Sequence, residues 1–216
     1  MRAGCDEAGK GPVLGSMFAA AVVTPDPKVL PDAVADSKQL TPTKRSDLAA
    51  TLRSDPAVTL GVAEVPVARI DASDTDMNTL TVQAHARALV DALPADVEEV
   101  PVVVDAGDPD ADRFARRVET VCDRSVTVTG RHSAEASHQT VAAASIVAKV
   151  RRDAHIEALA DEYGPIGSGY PSDPQTRSFL ASYYAKHGTC PPIARESWST
   201  CADLRAAAEQ SHLGNF

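Results

Sequence analysis

Two adjacent carboxylates, Asp6 and Glu7, close a short apolar start and are followed at once by Gly9-Lys10-Gly11-Pro12. A third, Asp105, ends the apolar run Val100 to Val104, with Gly107 close behind. Two strands that each finish in acid and then glycine would gather carboxylate oxygens at one sheet edge. That donor set suits hard divalent cations such as Mg²⁺ or Mn²⁺. Successive strand residues point to opposite faces. Asp6 and Glu7 therefore reach one ion only if the strand ends or bulges there, and Gly9 and Gly11 supply permissive backbone for that. Taken alone, an Asp-Glu pair before glycine also reads as turn chemistry.

The elements that must carry these residues follow from pattern. Residues 2–6 and 16–23 read as strands, the second holding the buried run Phe18 to Val23. Pro25, Pro27 and Pro31 mark a loop. Thr41-Pro42 opens a helix with a hydroxyl cap and proline at the first helical position, running to about residue 54. A strand is predicted over 58–65, a helix over 78–93, a strand over 100–105, a helix over 109–121 and a short strand over 125–129. The longest helix is predicted over 137–163, followed by closing helices over 173–187 and 195–211. Strands first, then strands alternating with helices, then helices alone imply a mixed α/β sheet flanked by helices.

The motifs resemble those of ribonuclease HII, the type 2 ribonuclease H, in its archaeal branch. Gly4-Cys5-Asp6-Glu7-Ala8-Gly9-Lys10-Gly11-Pro12 is similar to the family's opening signature. Asp36-Ser37-Lys38, the segment starting at Met77-Asn78, and Val102 to Ala106 follow in order. Ala142 to Val150, Tyr163 to Pro171 and Arg195 to Trp198 complete the match, which runs from about residue 2 to about residue 200. The resemblance implies a ribonuclease H-like catalytic core over 1–165. A C-terminal helical extension over 166–216 would pack on it, the two forming one functional unit. It implies an endoribonuclease that hydrolyses the RNA strand of RNA–DNA hybrids and cuts at single ribonucleotides in duplex DNA. Two-metal-ion hydrolysis, with Mn²⁺ or Mg²⁺, would leave 5′-phosphate and 3′-hydroxyl ends.

It also implies residue roles. Asp6, Glu7 and Asp105 match the first three catalytic, metal-ligating acids, with Asp6 expected to bridge the ions. The family's fourth acid is an aspartate ten residues before the serine of the Ala-Ser-Ile helix; counting back from Ser145 gives Glu135. The longer glutamate puts the second ion's geometry in question, not the reaction class. To recognise a ribonucleotide a protein must touch its 2′-hydroxyl. Gly9, Lys10 and Gly11 resemble the Gly-Arg-Gly loop whose backbone does so. Lysine at position 10 gives up arginine's planar phosphate contact. Tyr170 matches the tyrosine at the ribo–deoxyribo junction, and Ser37, Lys38, Lys149 and Arg152 are expected phosphate contacts. A DNA nuclease on the same fold has no use for such readers. A binding protein without catalysis gains nothing from clustered, mutually repelling acids.

Composition sets the remaining bounds. No run of about 18 apolar residues and no leader pattern is present, so a cytoplasmic location is expected. Cys5, Cys122, Cys190 and Cys201 lack the spacing of a zinc site or a disulfide framework. Of the histidines, His132 and His138 fall nearest the inferred site in sequence. The net charge of −9 is awkward for an enzyme that grips phosphates. With its Asp-rich acids, abundant alanine and few lysines, the chain resembles proteins of salt-accumulating halophiles. A monomer is expected, with the hybrid and ribonucleotide-containing duplex as partners and no membrane.

Overall fold

The computed structural model describes residues 1–213, apart from the side chains of residues 36–39 and 211–213. The chain divides into two compact units, the first comprising Met1–Lys10, Met17–Val65 and Asp76–Arg152. The second comprises Gly11–Ser16, Pro66–Thr75 and the chain from Asp153 onward.

The first unit is built on a five-stranded sheet of β1 (Arg2–Ala8), β2 (Met17–Thr24), β3 (Thr59–Val65), β4 (Val100–Asp105) and β5 (Val126–Arg131). Their order is β3-β2-β1-β4-β5. β1, β2 and β3 pair antiparallel, whereas β4 lies parallel to β1 and β5 parallel to β4. Parallel neighbours need crossovers, supplied here by α3 (Met77–Ala92) and α4 (Ala111–Val121). α1 (Pro42–Ser54) precedes β3 and starts as expected, with the Thr41 hydroxyl accepting the Lys44 N–H. All eight residues of β2 are buried. Ala20 and Val22 pack with Leu48 and Leu52 of α1, and with Ala143, Ile146 and Val147 of α5 (Gln139–Tyr163). The mixed sheet flanked by helices is the architecture expected from the sequence.

Three strand glycines seat three helices. A Cβ on Gly4 of β1 would fall on the Thr140–Val141 backbone of α5. One on Gly61 of β3 would meet the Ala88 carbonyl of α3, and one on Gly130 of β5 the Ala111 carbonyl of α4. Glycine inside a strand signals such an approach of backbone to backbone.

The second unit holds the C-terminal part of α5, α2 (Val67–Ile70), α6 (Pro174–His187) and α7 (Ser199–Leu213). Val13, Leu14, Ile156, Ile166, Leu180 and Ile193 form its core. Two of the boundaries that differ from those predicted bear on the site and on the C-terminal segment. β1 does not stop at Asp6 but runs through both acids to Ala8, because β2 continues the ladder to Ala8↔Phe18. The last helix begins at Ser199, not Arg195, because residues 195–198 bond elsewhere in the unit.

Gly4→Ala should lower unfolding stability by about 1–3 kcal/mol, the usual cost of overpacking, whereas a substitution at exposed Ala136 should leave it unchanged. Equal urea midpoints for both variants would show that α5 has room over β1.

Candidate metal and catalytic centre

Regular pairing along β1 fixes the faces its side chains take. Gly4 and Asp6 face α5, while Cys5 and Glu7 face α3. The strand neither ends nor bulges between the two acids, so they leave it in opposite directions; the chain turns only afterwards, at Gly9, with φ of 87°. Cys5 pairs with Val104 of β4, which places Asp6 and Asp105 level on adjacent strands, where neighbours lie about 4.7–4.9 Å apart. Asp105 is the last residue of β4, and its Oδ1 accepts the Ala134 N–H at 2.9 Å. Ala134–Ala136 form a 3₁₀ turn that carries Glu135. The turn follows Ser133, the only non-glycine residue with positive φ among the described residues, at 54°. That left-handed step aims the Ala134 amide at Asp105.

The four acids act on one another. Burial, then the Glu7 charge, push the Asp6 carboxyl up to about 7, with Asp105 adding to the rise and Ser145 and the Glu7 N–H opposing it. Asp105 is likewise raised, first by burial and then by Glu135 and Glu7, against the Ala134 N–H and His85. Glu7 Oε2 lies 2.8 Å from Nε2 of His85, which is fully buried on α3. Burial penalises the charged imidazolium, but Cys5 and Glu7 outweigh it and hold His85 well above the ordinary histidine range. Among the described residues, no three His, Cys, Asp or Glu side chains converge on a single ion position. Glu7 is drawn toward His85 and Asp105 toward Ala134. The donor chemistry nevertheless fits a hard cation: all four groups are carboxylates, Asp6 and Asp105 are held above the ordinary carboxylate range in part by neighbouring acids, and a divalent ion would relieve that repulsion.

Lys10 does not extend outward as a phosphate ligand would. Its Nζ donates to Asn78 Oδ1 at 3.0 Å and to the Gly107 carbonyl. It thereby ties the residues after β1 to the start of α3 and to the segment after Asp105. A side chain on Gly107 would press on Glu7 and Lys10.

In the second unit, Tyr170 is exposed on a loop shaped by Gly167 and Gly169, both at positive φ. Asp173 caps α6 by accepting the Gln175 N–H and reaches back to the Ser168 N–H. Its hydrogen bonds, chiefly with Ser168, depress its carboxyl to about 2. The hold on the loop is therefore complete above the ordinary aspartate range and lost only as pH falls through about 2. Gly11 lies beside this loop, since a Cβ there would sit 3.8 Å from Cε1 of Tyr170.

Among the residues expected from sequence, Asp6, Glu7 and Asp105 thus act on one another and Glu135 acts on Asp105, with Gly9 and Lys10 in the same first unit, and Gly11 and Tyr170 neighbour each other in the second. Lys149 and Arg152 are half-buried on α5. The side chains of Ser37 and Lys38 lie outside the described residues. His132 is exposed and bonded to the Pro109 carbonyl, and His138 pairs with Ser137; the histidine at the acids is His85. Its sequence signal was a histidine on the buried stripe of a helix, between Thr81 and Leu89.

A family model described as Ribonuclease HII matches residues 3–201. The Ribonuclease HII of Haloarcula marismortui is 56% identical over 216 residues, covering 100% of both chains. Ribonuclease H2 from Pyrococcus horikoshii OT3 superposes with a TM-score of 0.86 at 38% identity, covering 95% of this chain and 97% of that one. The structure of the PCNA:RNase HII complex from Archaeoglobus fulgidus matches with a TM-score of 0.82 at 34% identity, covering 95% of this chain and 97% of that chain.

His85→Leu removes the partner that orients Glu7, and should weaken apparent cation affinity in cleavage by roughly 10–100-fold. His85→Gln, which keeps a donor, should recover part of the loss. Identical cation titrations for the parent and His85→Leu would make the contact a packing feature only.

Proposed function

Because the chain belongs to the ribonuclease HII family, an enzyme family with ribonuclease H activity on RNA–DNA hybrids, we propose that it also cuts at single ribonucleotides embedded in duplex DNA, using two divalent cations, Mn²⁺ or Mg²⁺, and leaving 5′-phosphate and 3′-hydroxyl ends. The observation that carries this reading is the coupling of Asp6, Glu7, Asp105 and Glu135 around the adjoining ends of β1 and β4. Cations held by these carboxylates would supply an activated water and relieve charge on the leaving oxygen. His85 orients Glu7, and the Ala134 N–H orients Asp105. Lys10, through Asn78 and Gly107, steadies the backbone of Gly9 and Lys10 for contact with the 2′-hydroxyl. Gly11 and Tyr170 take the ribose and the junction that follows it. Lys149 and Arg152 serve the phosphates.

Glu135 is the fourth acid of this reading: it acts on Asp105 as a neighbouring charge and adjoins the amide that holds it. No helix among the described residues is long and apolar enough to cross a membrane, and we assign the enzyme to the cytoplasm as a monomer. The likeness to the Archaeoglobus fulgidus protein solved with PCNA makes PCNA its proposed protein partner. The likeness to the Haloarcula marismortui relative supports a salt-adapted enzyme.

The test is one duplex with a single embedded ribonucleotide and one long hybrid, each with and without Mn²⁺. Asp105→Asn should abolish cleavage of both while binding stays measurable; substantial cleavage at saturating cation would remove Asp105 from the cation site. Tyr170→Phe or Tyr170→Ala should reduce cleavage at the isolated ribonucleotide more than cleavage of the hybrid, since a site built to bond a hydroxyl discriminates strongly. Equal losses would make Tyr170 a packing residue.

Glu135→Asp should retain or raise activity, most clearly with Mg²⁺, whose octahedral demands tolerate a misplaced ligand least. Glu135→Ala should lose more and recover partly at high Mn²⁺. Activity of every active variant should persist at molar KCl. Glu135→Ala indistinguishable from the parent with both cations would return Glu135 to an ordinary acid near a helix start.

A further inference from the structure

Arg195 is fully buried, a costly place for a guanidinium unless its donors are used. Its Nε donates to the Gly15 carbonyl at 2.9 Å, and its backbone N–H to the Val13 carbonyl at 2.8 Å. Its guanidinium lies 4.9 Å from the ring centroid of Trp198, the only tryptophan of the chain. The Trp198 Nε1 donates at 3.2 Å to the Gly11 carbonyl. The turn between them is held from outside by Asp71, whose carboxylate accepts the N–H groups of Glu196 and Ser197 and the Ser197 hydroxyl, at 2.8, 3.1 and 2.6 Å. Gly15 donates to the Ile193 carbonyl, and Leu14 bridges Ala194.

On its other side the same segment meets the tyrosine loop. The Gly169 carbonyl, one residue before Tyr170, accepts the N–H groups of Val13 and Leu14 at 2.8 and 3.2 Å. Residues 11–15 are therefore strung between Gly169 and the 193–198 turn, and Gly11 is left beside the Tyr170 ring. Gly11 is the one residue of that segment whose carbonyl is gripped by a side-chain ring, the indole of Trp198.

We propose that Trp198, seated on Arg195, is a specificity-positioning residue: its indole N–H sets the Gly11 carbonyl, and so where Gly11 stands beside Tyr170 on the surface that meets a single ribonucleotide. This rests on the reading of Gly11 and Tyr170 as ribonucleotide contacts. Substrate-binding groups must be held within about 0.5 Å of productive geometry. A glycine backbone has no side chain of its own to lock it, so the restraint has to come from a neighbour. A long hybrid offers many 2′-hydroxyls and registers, whereas an isolated ribonucleotide offers one. The restraint accordingly matters most for the isolated ribonucleotide.

Trp198→Phe keeps a ring over Arg195 and removes only the donor to Gly11. It should lower kcat/KM at the isolated ribonucleotide by about two- to tenfold more than on the long hybrid, the range expected for one hydrogen bond. The thermal midpoint should stay near that of the parent. Asp71→Ala, which loosens the turn without touching Trp198 or Arg195, should shift the same ratio in the same direction. Combined with Tyr170→Phe, Trp198→Phe should add little, because both act on one spacing. If Tyr170→Phe changes the ratio while Trp198→Phe and Asp71→Ala reduce both substrates equally, Trp198 is a packing residue and the proposal is overturned, with the junction reading intact. If the parent itself fails to cut at the isolated ribonucleotide, the junction reading falls and the proposal with it.

Discussion

Like charges brought together at the ends of β1 and β4 set the terms for everything built around them. Raising Asp6 from 3.8 to about 7 corresponds to a penalty on the order of 4 kcal/mol against its ionised form. Because the folded value is the higher one, the penalty is absent below about pH 4 and fully present above about pH 7. A fold that tolerates this must hold each acid by a different neighbour. Asp6 has the Glu7 amide, Glu7 has His85, and Asp105 has the Ala134 amide. Each holder comes from a different element, so the acids stay close without sharing a partner.

Close approach of those elements depends on the absence of side chains. Gly4 lies two residues before Asp6 and lets α5, with Ser145, come down on that face of β1. Gly61 admits α3, which brings His85 to the opposite face. Gly130, at the end of β5, admits the start of α4, next to the segment after Asp105. Packing and chemistry are coupled at these positions, since a methyl group on a strand would move a helix and with it the partner of an acid.

Much of this was legible in the sequence, and the part that was not has a common cause. Asp6, Glu7 and Asp105 announce themselves because acid followed by glycine interrupts an apolar strand, a local signal. The helix caps at Thr41 and Asp173 are local too. The course of β1 past Asp6 depends on how far β2 pairs, which local residues do not encode. His85 and Asn78 act across 78 and 68 positions from Glu7 and Lys10. Nothing near position 10 in the sequence tells that its ammonium goes to Gly107 and Asn78. Arg195 resembles the first residue of a helix; only its burial against residues 13–15 shows that it ends a loop instead.

The acidic surface and the nucleic-acid chemistry are reconciled by the range over which each interaction works. At molar salt the screening length is about 3 Å, so attraction between an exposed basic face and phosphates would carry little. What survives is contact at hydrogen-bond length and, on the proposed reading, coordination by carboxylates. Lys10 is turned inward onto Asn78 and Gly107, and buried Arg195 donates from Nε to the Gly15 carbonyl and lies against the Trp198 ring. With 30 acidic residues against 21 basic ones, a salt-adapted enzyme of the proposed kind would gain little from long-range steering. On the proposed reading, recognition rests on short contacts held in place beforehand, and the positioning of Gly11 and the orientation of Glu7 weigh more than surface charge.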